Sequence, residues 1–346
     1  MKKFVKVTSA ILACASITVL SYVPALAAKY AFTDISDAKY DWCAPQIQEM
    51  YTKGLITGYD NNTYRPDNEV TRQECLSLFA RAMGSSDKTN EPVLAIAHEL
   101  YDDTINTYSL TWGTDEIVYL LYRGALDKAD LNTYLKGDEK TKPMKRYEAA
   151  MIITKAMGGT AEAESNKNAS LSYADASKIP AASVGYVKYA MDKEIMTGME
   201  DNKFSPLTSV SRSQIAVMLK RAVDKTNYTF EEAKLVSVDT DAKTCTFKNN
   251  KGNTTEKEYD DNTVMNSLGV KVIPSNMITD VSVIATYSDG KLVYVDALSG
   301  EPDKTIIGKY VGYGNKNGAI TLRVIPTGAS EETVYTCAKD VSFVYD

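Results

Sequence analysis

One apolar pattern occurs three times between Arg72 and Asp224. The stretches "RQECLSLFARAMG", "RYEAAMIITKAMG" and "RSQIAVMLKRAVD" align without gaps. Each sets apolar residues at helical spacing: Leu76, Phe79 and Met83; Ala150, Ile153 and Met157; Ala216, Leu219 and Val223. Residues three and four apart share a helix face, so each stretch predicts a helix that buries one stripe. Thr71 with Glu74, and Ser211 with Gln214, have the spacing of a capping box and set where two of these helices start. Gly84 and Gly158 stand where a helix would close in a left-handed residue. A second short helix is predicted ahead of each, near 42–53, 114–123 and 182–193.

The loops between the paired helices repeat as well. "KGLITGYDNNTYRP" (53–66) lies over "KEIMTGMEDNKFSP" (193–206) at an offset of 140, with Tyr64 on Phe204 and Arg72 on Arg212. The middle copy is looser: Trp42 and Trp112, Gly54 and Gly124, and Tyr64 and Tyr134 are 70 apart, and about four residues are inserted before Arg146. An aromatic two residues before an aspartate marks each start: Phe32 and Asp34, Tyr101 and Asp103, Tyr173 and Asp175. Two short helices bury too little to stand alone, so the three copies are expected to pack as one helical body. The copies span 29–86, 97–159 and 171–225, joined by the polar connectors "GSSDKTNEP" and "GGTAEAESNKNAS".

The pattern changes after Tyr228. β-branched and aromatic runs alternate with turns such as Asp289-Gly290 and Asn317-Gly318, predicting a β-rich region over 229–346, a small barrel or sandwich. The fold class expected is therefore a multidomain α + β chain.

Charge and processing narrow the setting. Residues 1–28 have the form of a secretory signal peptide: Lys2, Lys3 and Lys6, an apolar run, and small residues at Ala25 and Ala27. Removing those lysines takes the formal net charge from −6 to −9. An acidic chain has no general attraction for nucleic acid or anionic lipid, so any anion it binds needs a local site. No long apolar span follows the leader, so no membrane span is expected in the mature chain. Cys43, Cys75, Cys245 and Cys337 remain. Export permits disulfides, but four cysteines allow three connectivities; Cys43 and Cys75 also sit among apolar helical positions, and Cys245 with Cys337 would staple the last region.

Catalytic signals are absent from the sequence. His98 is the single histidine, which excludes two-histidine zinc motifs. There is no G-x-S-x-G, phosphate-binding loop or dinucleotide fingerprint. "DNNTYRPDNEVT" fails as a calcium loop because Arg65 takes the glycine position and Thr71 the glutamate position. No catalytic residue, metal or cofactor is expected, and the chain is read as a non-enzyme.

The aromatic-x-Asp, the tryptophan, "ITGYDNNTYRPDNEVTRQE" and the apolar helix together resemble the S-layer homology domain, over about residues 30–225. Three tandem copies after a signal peptide is that family's usual arrangement. The resemblance implies a pseudo-threefold helical trio that binds a secondary cell-wall polysaccharide, often one bearing pyruvate ketals. That would anchor an exported protein non-covalently at the bacterial cell surface.

One residue sharpens this expectation. Arg72, Arg146 and Arg212 each sit at a helix start, where the helix dipole disfavours a cation. Helix starts offer N–H groups to anions, and a guanidinium adds a planar fork for a carboxylate. With the resemblance, the expected polysaccharide-binding set is Arg72, Arg146 and Arg212 for the carboxylate, and Trp42 and Trp112 as faces for a sugar ring. It also takes Asp34, Asp103 and Asp175 for hydroxyls or for holding the arginines, and Gly58 and Gly198 for close backbone approach. Core packing is the other reading of the tryptophans, and turn geometry that of the glycines. Lys145 stands where a Thr or Ser cap belongs, and Ala182 or Ser183 where a Trp belongs, so at least one groove is expected to be weak. The β region is read as a spacer, assembly or partner-binding module; the alternative is a wall-anchored enzyme acting through it on polysaccharide or peptide.

Overall fold

The computed structural model describes residues 29–299, 308–316, 319–326 and 330–336; the expected leader, the Asn317-Gly318 turn and Cys337 lie outside them. The described chain runs α1 (Ala44–Thr52), α2 (Arg72–Ala82), α3 (Glu91–Asn106), α4 (Thr114–Tyr122), α5 (Lys128–Tyr134), α6 (Arg146–Ala156), α7 (Thr160–Ser165), α8 (Val184–Asp192) and α9 (Arg212–Thr226). Strands follow: β1 (Tyr228–Asp239), β2 (Thr244–Lys248), β3 (Thr254–Glu258), β4 (Val264–Ser267), β5 (Val270–Val272), β6 (Val281–Ser288), β7 (Lys291–Ala297), β8 (Gly308–Lys316), β9 (Ala319–Pro326) and β10 (Thr333–Thr336). The chain is thus α plus β.

α2, α6 and α9 start side by side. Val70, Met144 and Val210 each stand one residue before a helix cap. The Val70 N–H donates to the Val210 carbonyl at 3.0 Å, Val210 to Met144 at 2.9 Å, and Met144 to Val70 at 2.9 Å, closing a ring. A second ring runs the other way: the N–H groups of Arg72, Arg146 and Arg212 donate to Lys142, Thr208 and Asn68 at 2.9, 3.0 and 2.8 Å. A helix start has no intrahelical partner for these donors; here the neighbouring copy supplies one.

Below the rings the predicted apolar stripes meet. Leu76, Phe79, Ile153, Ala216 and Leu219 are buried in one core, together with Ile47 of α1 and Ile117 of α4. The capping boxes at Thr71 and Ser211 form as expected. At Lys145 only half can form: Glu148 accepts from the Lys145 N–H at 2.8 Å, while the lysine side chain reaches Ser209 instead.

One expectation needs correction. Tyr101 and Asp103 do not open the middle copy; both lie on the 16-residue α3, which begins at the end of the supposed connector. Pro92 favours a helix start and Val93 and Ala97 supply its buried stripe, a signal hidden by the match to Phe32 and Asp34. Of the two forms expected for the β region, a barrel or a sandwich, the described residues show no closed barrel. Seven lie in the order β3-β2-β1-β6-β7-β4-β5, with β3 and β5 at the edges and β4 parallel to β7, and three lie in a second sheet, β10-β9-β8. The Asp289-Gly290 turn joins β6 to β7 with both residues at positive φ, 47° and 79°, as its sequence predicts.

The helical body and the large sheet share a boundary without a tether. Only Asn227, at φ 39°, separates α9 from β1. On β6, Val283 and Ala285 face the sheet's own core while Ile284 joins the helical one. At this junction Arg123 pairs with Asp296 at 2.7 Å, both side chains essentially unexposed. Tyr122 and Asn266 donate to the other Asp296 oxygen at 3.0 and 2.7 Å. Burial is the largest single influence and works against the Arg123 charge, but Asp296 together with Tyr119, Tyr294 and Tyr122 outweighs it and holds the guanidinium well above its ordinary pKa. Cys43, Cys75 and Cys245 are buried free thiols.

Candidate functional site

Each of the three arginines crosses to the loop of another copy. Arg212 donates from Nε to the Tyr64 carbonyl at 2.7 Å and from Nη2 to the Thr57 carbonyl at 2.8 Å. Arg146 repeats this on the Phe204 and Thr197 carbonyls, both at 2.9 Å. Their guanidinium carbons lie 4.4 Å from the Tyr64 ring and 5.0 Å from the Phe204 ring. Arg72 departs from the pattern: Nε and Nη2 meet Glu148, and Nη1 meets Glu139 and the Thr133 carbonyl.

The aspartates grip the same loops from the other side. Asp34 accepts from the N–H groups of Tyr64 and Arg65 at 2.8 and 2.7 Å. Asp175 accepts from those of Phe204 and Ser205 at 2.8 and 2.9 Å. Arg65 and Ser205 have φ of 56° and 58°, so each aspartate holds a left-handed turn closed. Burial pushes the Asp175 pKa up, but the N–H donors of Phe204, Ser205 and Asp175 itself, together with the Lys178 charge, outweigh it and hold it below the ordinary value. Asp34 and Asp175 therefore fix the loop peptide whose carbonyl the arginine takes. Asp103, exposed on α3, has no such place.

The glycines serve packing. A Cβ on Gly58 would lie 2.1 Å from the Phe32 ring, and one on Gly198 3.2 Å from the Tyr173 ring. Both loops fold against their own aromatic.

One groove brings expected residues together. A cavity of about 250 Å³ is lined by Thr57 and Tyr64 of the first loop, Glu74, Ser77 and Arg81 of α2, Trp112, and Arg212. Trp112 is 45% exposed, and its carbonyl accepts from Gln73 at 2.6 Å, which seats this turn against α2. Nη1 of Arg212 makes no hydrogen bond to the described residues, and Ser77 Oγ is buried without a partner. Trp42, 52% exposed, does not line this cavity. Arg146, 3% exposed, sits in the core; burial pulls its pKa down to about 10 against the opposing charges of Tyr173 and Asp175.

Arg81 was not among the expected residues. It pairs with Glu116 at 2.8 Å and adds a second guanidinium to the groove. Its signal is in the sequence, since Lys155 and Arg221 stand at the same distance after Arg146 and Arg212. His98 lies on α3 between Asp102 at 2.7 Å and Asp115 at 3.2 Å. No helix of the described residues is long and apolar enough to cross a membrane.

With the geometry in place, the comparison with known families is specific. Residues 31–75 and 172–216 match the family model of the S-layer homology domain. The chain therefore carries two such domains, one providing the first loop and the start of α2, the other the third loop and the start of α9. Domains of this family generally anchor proteins to cell-wall polymers, and proteins that carry them are typically associated with the cell surface. No curated protein matches the chain.

Proposed function

We propose that this protein is an exported, non-enzymatic anchor that binds an anionic cell-wall polysaccharide through the groove between Arg212 and Trp112. One observation carries the reading: a cavity of about 250 Å³ pairs an immobilised guanidinium, its Nη1 open, with a half-exposed indole. The two loop carbonyls hold Arg212 in one orientation before any ligand arrives, so little side-chain entropy is lost on binding. A pyruvate ketal offers a carboxylate for Nη1 and Arg81, and the sugar that bears it offers an apolar face for Trp112.

The middle segment acts as a degenerate third copy of the domain, completing a pseudo-threefold trio. The rings at Val70, Met144 and Val210 support this, because α6 fills the same place in them as α2 and α9. Residues 1–28 act as the export signal. The sheets carry no chemistry in this reading and serve as a spacer or a surface for another protein.

The test is retention on isolated cell walls before and after mild acid, which hydrolyses ketals and leaves the glycan chain. The intact chain is expected to pellet with untreated walls and to stay in solution after treatment. Equal pelleting in both cases would overturn the carboxylate reading.

A further inference from the structure

The Arg72 site differs from the other two at the nitrogen that matters. Arg146 and Arg212 use Nε and Nη2 on neighbouring carbonyls, and Nη1 makes no hydrogen bond to the described residues. In Arg72, Nε and Nη2 are again used, here on Glu148, but Nη1 is also taken, by a carboxylate oxygen of Glu139. The side chain of Arg72 keeps only 13% of its exposure.

Glu139 reaches this position on extra chain. Tyr64 to Val70 and Phe204 to Val210 are six residues apart, whereas Tyr134 to Met144 are ten apart. The additional length forms the 3-10 turn Gly137–Thr141, which carries Glu139. Lys142 pairs with Oε1 of Glu139 while Arg72 takes Oε2, so the carboxylate is held from both sides. That Lys142 hydrogen bond is the main cause that keeps the Glu139 pKa below its ordinary value. The two loops without the insertion place no carboxylate at Nη1.

We propose that Glu139 is a built-in ligand: its carboxylate occupies at Arg72 the position an external carboxylate takes at Arg212, so this groove is shut by the chain's own inserted turn. The chemical identity of the external ligand rests on the reading of the Arg212 groove, but the occupation of Arg72 does not. A tethered group acts at an effective concentration on the order of millimolar. An external carboxylate of equal intrinsic affinity therefore has to exceed that concentration to displace it, and Lys142, which holds the other Glu139 oxygen, adds to the advantage of the tethered group. The inserted turn lowers the number of working grooves without unfolding the copy that contains it.

The experiment is calorimetric titration of the full mature chain with a methyl pyranoside that carries a pyruvate ketal. Wild type, Glu139→Gln and Glu139→Gln with Arg72→Lys are compared, with circular dichroism confirming an unchanged fold. Glu139→Gln is expected to bind one more equivalent than wild type, and the added equivalent is expected to vanish in the double variant. The same stoichiometry in wild type and Glu139→Gln would overturn the proposal, as would an added equivalent that survives Arg72→Lys. If wild type binds nothing and Glu139→Gln binds one equivalent, the built-in ligand stands and the Arg212 reading falls. If neither binds, both fall.

Discussion

Tyr64 and Phe204 are each held at both ends of one residue. An aspartate from the same copy takes the N–H, and an arginine from another copy takes the carbonyl. The recurrence of Asp and Arg was legible in the sequence, but their division of labour was not, because the partner is a backbone atom with no letter of its own. Asp175 gives this a pH signature. Its pKa is lowered in the fold, so its contribution is complete above the ordinary value of 3.8 and is lost as pH falls through the lower folded value. Asp175→Asn is expected to lose less stability than wild type as pH falls below about 4, read from acid unfolding curves; parallel curves would contradict the role. The glycines make a second test. Gly58→Ala drives a Cβ into the buried Phe32 ring and is expected to cost roughly 1–3 kcal/mol, whereas Gly198→Ala, with 3.2 Å to Tyr173, costs less. Equal melting shifts in the two variants would count against this packing.

At the scale of elements, the apolar stripes of α2, α6 and α9 were readable because a helix period and a cap leave strong local marks. α3 was missed because a chance aromatic-x-Asp pair sat inside its own periodic pattern. The mixed order of the seven-stranded sheet was out of reach, since strand order depends on long-range pairing that turn residues do not encode. The cap of α6 yields a prediction. Lys145 cannot accept from the third helical N–H as Thr71 does at α2. Lys145→Thr is expected to raise stability by about 0.5–1 kcal/mol despite the lost contact to Ser209, measured by denaturant unfolding. A drop in stability would show that the Lys145–Ser209 contact outweighs the cap.

For the molecule as a whole, the helical body and the large sheet are joined by the buried pair Arg123 and Asp296. Nothing in the sequence flagged this pair, since the two residues are 173 positions apart and neither lies in a motif. Asp296→Ala leaves a buried guanidinium without its carboxylate and is expected to cost about 3–5 kcal/mol. Arg123→Met with Asp296→Leu, which removes both charges, is expected to recover most of that loss in denaturant titrations. If the double variant is no more stable than Asp296→Ala, the loss comes from something other than an orphaned charge.

The most direct measurement of the central claim compares two tryptophans that are similarly exposed and differently placed. Trp112 lines the groove with Arg212, and Trp42 does not line it. Affinity for purified, pyruvate-bearing wall polymer is measured for wild type, Trp112→Ala and Trp42→Ala at equal salt. Trp112→Ala is expected to weaken binding by about tenfold, the loss of an aromatic contact worth on the order of 1 kcal/mol plus its buried area. Trp42→Ala is expected to bind like wild type. Full affinity in Trp112→Ala, or a loss confined to Trp42→Ala, would contradict the assignment of this groove.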